Sequence, residues 1–178
     1  MKKMLVVVDM QVDFVNGTLG TPEAQAIVEP VRARIQQARQ EGEQVVFTLD
    51  THREDYLDTQ EGRNLPVPHC IQGTPGWQLV PELRELARDC VQLPKPTFGS
   101  MALARLAERE QVEEVELIGL CTDICVISNA LLLKAALPEV PISVDASCCA
   151  GVTPESHANA LAAMRVCQVK IRGEEKEA

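Results

Sequence analysis

Short apolar runs alternate with longer amphipathic segments along the whole chain. Runs of strand length fall at Met4–Val8, Gln44–Leu49, Cys90–Leu93, Val115–Gly119, Ile142–Val144 and Gln168–Ile171. Between them, apolar residues recur at helical spacing over Ala24–Gln40, Leu79–Ala87, Met101–Ala107, Ile124–Ala136 and Glu155–Val166. Two helix starts carry the same punctuation, Thr21-Pro22-Glu23 and Thr153-Pro154-Glu155. In each, Thr is an N-cap, Pro occupies the first helical position, and Glu faces the positive end of the helix dipole. Strand–helix alternation of this kind predicts an α/β protein, a doubly wound parallel sheet with helices on both faces. The pattern shows no internal repeat and no linker, so residues 1–178 read as one domain, with a solvated tail from Gly173 to Ala178.

The segment Asp50–Gln78 breaks the alternation. It is rich in polar residues, with Pro66, Pro68, Pro75, Gly62, Gly73 and Gly76, and shows no convincing element. Structureless loops longer than about 12–15 residues are uncommon in compact domains and are usually functional or disordered. This one holds His52, His69 and the only tryptophan, Trp77, which favours function. Ligands of open parallel sheets collect beyond the carboxyl ends of the strands, a rule that groups Asp9, Asp50, Lys95 and the Cys121–Cys125 turn.

A formal charge of −9 argues against a nucleic-acid partner, because phosphates would be repelled by most of the surface. Met4–Val8 is too short to span a bilayer. Lys2 and Lys3 ahead of it resemble the start of a signal peptide, but Asp9 and Asp13 interrupt the apolar region and no small-residue cleavage site follows; a cytoplasmic protein is expected. Seven cysteines without an export signal do not make a disulfide framework. Most should be packing thiols.

Cys125 is the candidate exception. The strand Val115–Gly119 runs into Leu120-Cys121-Thr122-Asp123-Ile124-Cys125 and then an apolar helix. Thr122 as N-cap would put Cys125 on the first helical turn, where unpaired N–H groups and the dipole lower a thiol pKa and hold an oxyanion. The plainer alternative is a buried packing cysteine. Asp9 ends the first strand and is either a hydrogen-bond anchor or a general base beside the thiol; Asp13 reads as a structural anchor. Lys95, fixed between Pro94 and Pro96, is either a solvated loop residue or a charge that favours thiolate and carboxylate. Asp50, His52 and His69 form a loose set suited to zinc, iron or manganese. His157, early in the last helix, reads as solvated.

With these positions in view, the chain resembles the isochorismatase-like cysteine hydrolases, and among them the nicotinamidases, over almost its full length. The likeness rests on Val8-Asp9-Met10-Gln11-Val12-Asp13-Phe14, Gly17-Thr18-Leu19-Gly20, Asp50-Thr51-His52 and Pro68-His69-Cys70-Ile71-Gln72-Gly73-Thr74-Pro75-Gly76. It continues in Lys95-Pro96-Thr97-Phe98, Gly119-Leu120-Cys121-Thr122-Asp123-Ile124-Cys125-Val126 and Asp145-Ala146. The resemblance implies a six-stranded parallel sheet in a three-layer α/β/α sandwich and a cis peptide before Cys121. It implies Asp9, Lys95 and Cys125 as the catalytic set, with the backbone of Cys121 and Cys125 as the oxyanion hole. Asp50, His52 and His69 become ligands of a divalent metal, zinc first, that binds the pyridine nitrogen. The implied reaction releases ammonia from a small carboxamide, nicotinamide to nicotinate, in pyridine nucleotide salvage, and the implied assembly is a homo-oligomer. Nicotinamidases often carry an aromatic three residues before the loop histidine, where this chain has Pro66, and no further histidine stands between His52 and Gly62. Phe14, Phe98 and Trp77 are therefore the expected ring contacts. The competing readings are a metal-independent relative acting on another amide, ureido or carbamoyl compound, and a non-catalytic binding module on the same fold.

Overall fold

The structure is a computed structural model that describes residues 1–174; the expected tail lies outside them from residue 175 onward. Among the described residues, six strands form one sheet: β1 (Lys3–Val8), β2 (Gln44–Asp50), β3 (Val91–Lys95), β4 (Glu114–Leu120), β5 (Ile142–Ala150) and β6 (Lys170–Arg172). Their order is β3-β2-β1-β4-β5-β6 and every pairing is parallel. The chain winds outward from β1 through β2 to β3, returns to pair β4 with β1, and winds outward again. The β1–β4 junction is the switch point beyond which such sheets open a crevice.

The helices are α1 (Val12–Val15), α2 (Pro22–Ala26), α3 (Val28–Gln40), α4 (Gln60–Asn64), α5 (Pro81–Ala87), α6 (Met101–Arg109), α7 (Ile127–Ala136) and α8 (Pro154–Val166). Side chains on β1 divide between the two faces with the period of two that a strand imposes. Leu5 and Val7 pack with Val31, Ile35 and Leu83 of α3 and α5. Met4, Val6 and Val8 pack with Leu103, Leu133, Leu161 and Met164 of α6, α7 and α8. Burial on both faces is why β1 reads as a continuous apolar run. Among the described residues, no helix is long and apolar enough to cross a membrane.

Both Thr-Pro-Glu starts are real caps. Ala24 N donates to Thr21 Oγ1 at 3.0 Å, and Ser156 N to Thr153 Oγ1 at 3.1 Å. The helix expected over Ala24–Gln40 is interrupted at Ile27, because Pro30 has no N–H to offer the carbonyl of Ala26. β5 runs six residues past the expected Val144, with a register shift opposite Leu117–Gly119; Asp145 and Ser147 had masked it. The Asp50–Gln78 segment is not structureless. It contains α4, capped by Thr59, and single 3₁₀ turns at Tyr56–Asp58 and Pro75–Trp77. Gly119, at φ 111°, lies so close to β1 that a Cβ there would overlap the Val8 carbonyl, and this approach lets the ends of β1 and β4 converge.

Candidate active site

Parallel register aligns the carboxyl ends of the four strands β3, β2, β1 and β4, with Lys95 paired to Asp50 and Val8 to both Thr48 and Gly119. Asp9 follows β1 at φ 48°, a left-handed conformation that a non-glycine residue holds only when its surroundings enforce it. Here Asp9 N donates to Thr48 O at 3.2 Å and Thr48 Oγ1 donates to Asp9 Oδ1 at 2.7 Å. Lys95 ends β3, an edge strand, where Pro94 is tolerated because that position need not complete a ladder on both sides. Its side chain is 1 % exposed. The Nζ lies 2.6 Å from Asp9 Oδ2, 3.3 Å from Asp50 Oδ1 and 3.4 Å from Cys125 Sγ, and donates to Thr97 O at 3.0 Å. Asp9, Lys95 and Cys125, distant in sequence, thus meet around one ammonium.

Cys125 is buried, in a single π-turn, Thr122–Val126, between β4 and α7. The turn follows a cis Leu120–Cys121 peptide, as the resemblance implies. Thr122 is not the N-cap expected from the sequence. Cys121 takes that position without a side-chain bond, because the π-turn moves the helix start and Thr122 Oγ1 is engaged with His157 Nδ1 at 2.7 Å. His157, expected to be solvated, is instead half-buried against this turn. Buried Asn129 ties the turn down from the other side, donating to Cys125 O at 2.8 Å and Phe98 O at 3.1 Å and accepting from Ser100 N at 2.9 Å.

The electrostatics correct one expectation. Cys125 is not a low-pKa thiol: burial and the nearby Asp9 charge push it well above the ordinary range, against the pull of Lys95. Burial likewise raises Asp9, with Lys95 opposing. Burial disfavours a charged Lys95, but Asp9, Cys125 and Asp50 outweigh it and hold the ammonium above the usual lysine range. Burial thus favours the protonated thiol, while the groups around Lys95 favour its charged form.

Asp50 extends the constellation. While Oδ1 faces Lys95, Oδ2 lies 3.0 Å from His52 Nε2 and 3.4 Å from His69 Nε2. Glu61 Oε1 completes the cluster at 3.5 and 3.8 Å from the same nitrogens. Ligand atoms of all four lie within 4.8 Å of one another, as donors about 2.0–2.2 Å from a common ion would. Glu61, on α4, was missed in the sequence; an acid between the two histidines in the functional loop was the available signal. His69 Nδ1 donates to Val67 O at 2.8 Å, leaving Nε2 free to face the cluster. Burial works against a charged His52, but hydrogen bonding to Asp50 and Glu61 outweighs it and lifts the ring to about 9. The carboxylates thus favour positive charge between the rings, which a divalent ion supplies. His52 N donates to Cys70 O and Gln72 N to His52 O, joining the two histidine segments. Asp13 is the anchor expected, its Oδ2 accepting from Cys70 N at 2.8 Å.

Cys125 and three of the four clustered residues, Asp50, Glu61 and His69, line one cavity of about 250 Å³. Its walls also include Phe14, Phe98, Leu65, Ile124 and Cys121. Phe14 packs on the His69 ring at 5.4 Å. Leu65, next to the exposed Pro66, supplies the apolar wall there. Trp77 does not reach this cavity, contrary to expectation: Gln11 holds its backbone carbonyl at 2.8 Å, Nε1 donates to Thr51 Oγ1 at 2.9 Å, and the ring faces a separate cleft with Leu79 and Arg84. Tyr56, not anticipated, is buried behind the histidines with its ring 4.7 Å from His52 and 5.1 Å from His69.

An α/β sheet whose switch point holds a buried cysteine, a carboxylate–ammonium pair and an acid–histidine cluster defines the protein's class. Residues 3–175 match the isochorismatase domain family, and the chain belongs to that family. An isochorismatase family protein of Bacillus subtilis, PncA, is 32% identical over 144 residues, covering 74% of this chain and 78% of its own length. The crystal structure of a Pyrococcus horikoshii pyrazinamidase in complex with zinc is 30% identical with a TM-score of 0.84, over 96% of this chain and 98% of that one. A Thermoplasma acidophilum N-carbamoylsarcosine amidase is 29% identical with a TM-score of 0.81, covering 100% of both chains.

Proposed function

We propose that this protein hydrolyses a small aromatic carboxamide, nicotinamide in the first instance, to the acid and ammonia through a thioester on Cys125. The observation that carries the reading is the single ammonium of Lys95 in contact with Asp9, Asp50 and Cys125. Asp9 takes the proton of Cys125, and Lys95 stabilises the thiolate as it forms. The thiolate attacks the carboxamide carbon while the backbone N–H groups of Cys121 and Cys125 bind the oxyanion. Asp9 returns the proton to the departing ammonia, and water cleaves the thioester to free the carboxylate and the thiol. A base whose pKa burial has raised suits both halves of this exchange.

The Asp50, His52, Glu61 and His69 donor set fits a divalent metal, zinc being the first choice for two imidazoles with carboxylates. When bound, the metal supplies a Lewis acid that fixes a ring nitrogen. Phe14 and Phe98 flank the ring, and the apolar walls exclude water from the thioester until ammonia has left. His52→Ala is expected to lower metal content well below one ion per chain, read by elemental mass spectrometry of dialysed protein. KM for nicotinamide should rise more than kcat falls, since the variant keeps the nucleophile.

The test is ammonia release from nicotinamide, pyrazinamide, benzamide and a carbamoyl compound, with and without chelator. Turnover of the nitrogen-containing rings that chelation abolishes supports the reading. A metal-independent carbamoyl or ureido hydrolase is the second reading, favoured by the full-length likeness to the N-carbamoylsarcosine amidase. Chelator-resistant turnover of the carbamoyl compound alone would establish it instead.

A further inference from the structure

The turn that carries Cys125 is held by a contact from a distant part of the chain. Thr122, the first residue of the turn, is fully buried, and its hydroxyl meets His157 Nδ1 at 2.7 Å. His157 stands in the first turn of α8, which the reciprocal Thr153–Ser156 capping box fixes. Gly151 leads into that turn from β5 and lines the cavity; a Cβ on it would press against the His157 backbone at 2.8 Å. The missing side chain therefore allows α8 to approach the nucleophile turn. A second tie runs parallel to the first, from Val152 N to Asp123 Oδ1 at 3.1 Å.

Resting on the hydrolase reading above, we propose that His157 is a positioning residue for the reaction, acting through Thr122 to hold the π-turn so that Cys125 faces Asp9 and the oxyanion donors. It touches neither the thiol nor the cavity. Burial keeps its imidazole below the ordinary histidine range, against the pull of Asp123 and Glu174, so near neutral pH one ring nitrogen donates and the other accepts. Either tautomer of the neutral ring shares a hydrogen bond with a hydroxyl, which can donate or accept. The geometry matters because the turn sets two things together, the sulfur and the N–H groups beside it, and small displacements of such groups cost large factors in rate.

The experiment compares wild type with His157→Ala, Thr122→Val, the double variant, and the conservative His157→Asn and Thr122→Ser. Readouts are kcat and KM for the best amide, melting temperature, and the rate of iodoacetamide alkylation of Cys125 followed peptide by peptide. Each of His157→Ala and Thr122→Val is expected to lower kcat about 10- to 100-fold with KM little changed. The double variant should be no worse than the poorer single, because both remove one interaction. His157→Asn, whose amide reaches the position of Nδ1, and Thr122→Ser should recover most of the loss. Unchanged kcat, losses that multiply in the double variant, or a loss that follows melting temperature without recovery in the conservative variants would each overturn the proposal. The alkylation rate separates the two readings. Wild-type protein that hydrolyses no amide refutes the hydrolase assignment, whereas a changed rate of Cys125 alkylation in both His157→Ala and Thr122→Val, restored in His157→Asn and Thr122→Ser, still supports the positioning role.

Discussion

Replacing Cys125 with alanine is expected to lower kcat for amide hydrolysis by on the order of 10⁴- to 10⁶-fold, as loss of the nucleophile does in enzymes whose catalytic groups act as a unit. Without the sulfur there is no thioester, and Asp9 has no proton to take. On the proposed reading, the cavity walls Phe14 and Phe98 and the cluster of Asp50, His52, Glu61 and His69 are untouched, so the variant should still bind nicotinamide. The fold should persist, because the change removes one buried sulfur while Asn129 and the Thr122–His157 contact continue to hold the turn. Steady-state ammonia release together with ligand titration of the same preparation checks both parts. Turnover within tenfold of wild type would remove Cys125 from the reaction.

Lys95→Met should produce the largest change in stability. The side chain has 1 % exposure and sits between two carboxylates that are themselves buried. Methionine fills a similar volume but leaves Asp9 without its ammonium partner and Asp50 with only the histidine side of its pairing. Breaking a buried pair by removing one partner costs about 3–5 kcal/mol, because the remaining charge stays desolvated. The pH dependence gives the sign. In wild type the Asp50 carboxyl is held well below its ordinary range, by His52, His69 and Lys95 acting against burial. Its contribution to stability is therefore present above the usual carboxylate pKa and is lost as pH falls through the lower folded value. In Lys95→Met the carboxylates lose their cation and take up protons at higher pH. The deficit relative to wild type should be greatest near neutrality and shrink as the solution is acidified. Urea denaturation at a series of pH values measures this; a deficit that grows on acidification would contradict the ion-pair account. Activity should fall as well, since the thiolate loses the charge that stabilises it.

The framework of the protein was legible because its signals are periodic. β1, β2 and β4 are apolar on both faces, and their C-terminal residues named the region where the site forms. Asp9, Lys95 and Cys125 were each ambiguous alone; what joined them was strand order, which brings β3, β2, β1 and β4 side by side at the switch point. The misses have physical causes. Glu61 is one acid in a polar stretch, and only the short helix α4, started by the Thr59 cap, turns it toward the histidines. Trp77 was favoured as a ring contact because aromatics are scarce in this chain, yet its indole N–H finds Thr51 and its ring faces another cleft. His157 looked solvated because helical spacing does not reveal a contact with a turn 35 residues away. The thiol was expected to be acidified by a helix start. Burial and a neighbouring carboxylate dominate instead, and neither is visible until the strands are assembled.

Trapping the intermediate is the most direct test of an acid, an ammonium and a sulfur working as one centre. Protein mixed with nicotinamide is quenched in acid during turnover, digested, and each cysteine peptide is weighed by mass spectrometry. The account predicts a nicotinoyl group on the peptide containing Cys125 and on none of the other six cysteines, and its disappearance in Asp9→Asn. Acyl transfer to a different cysteine, or sustained turnover in which no cysteine is ever acylated, would contradict it.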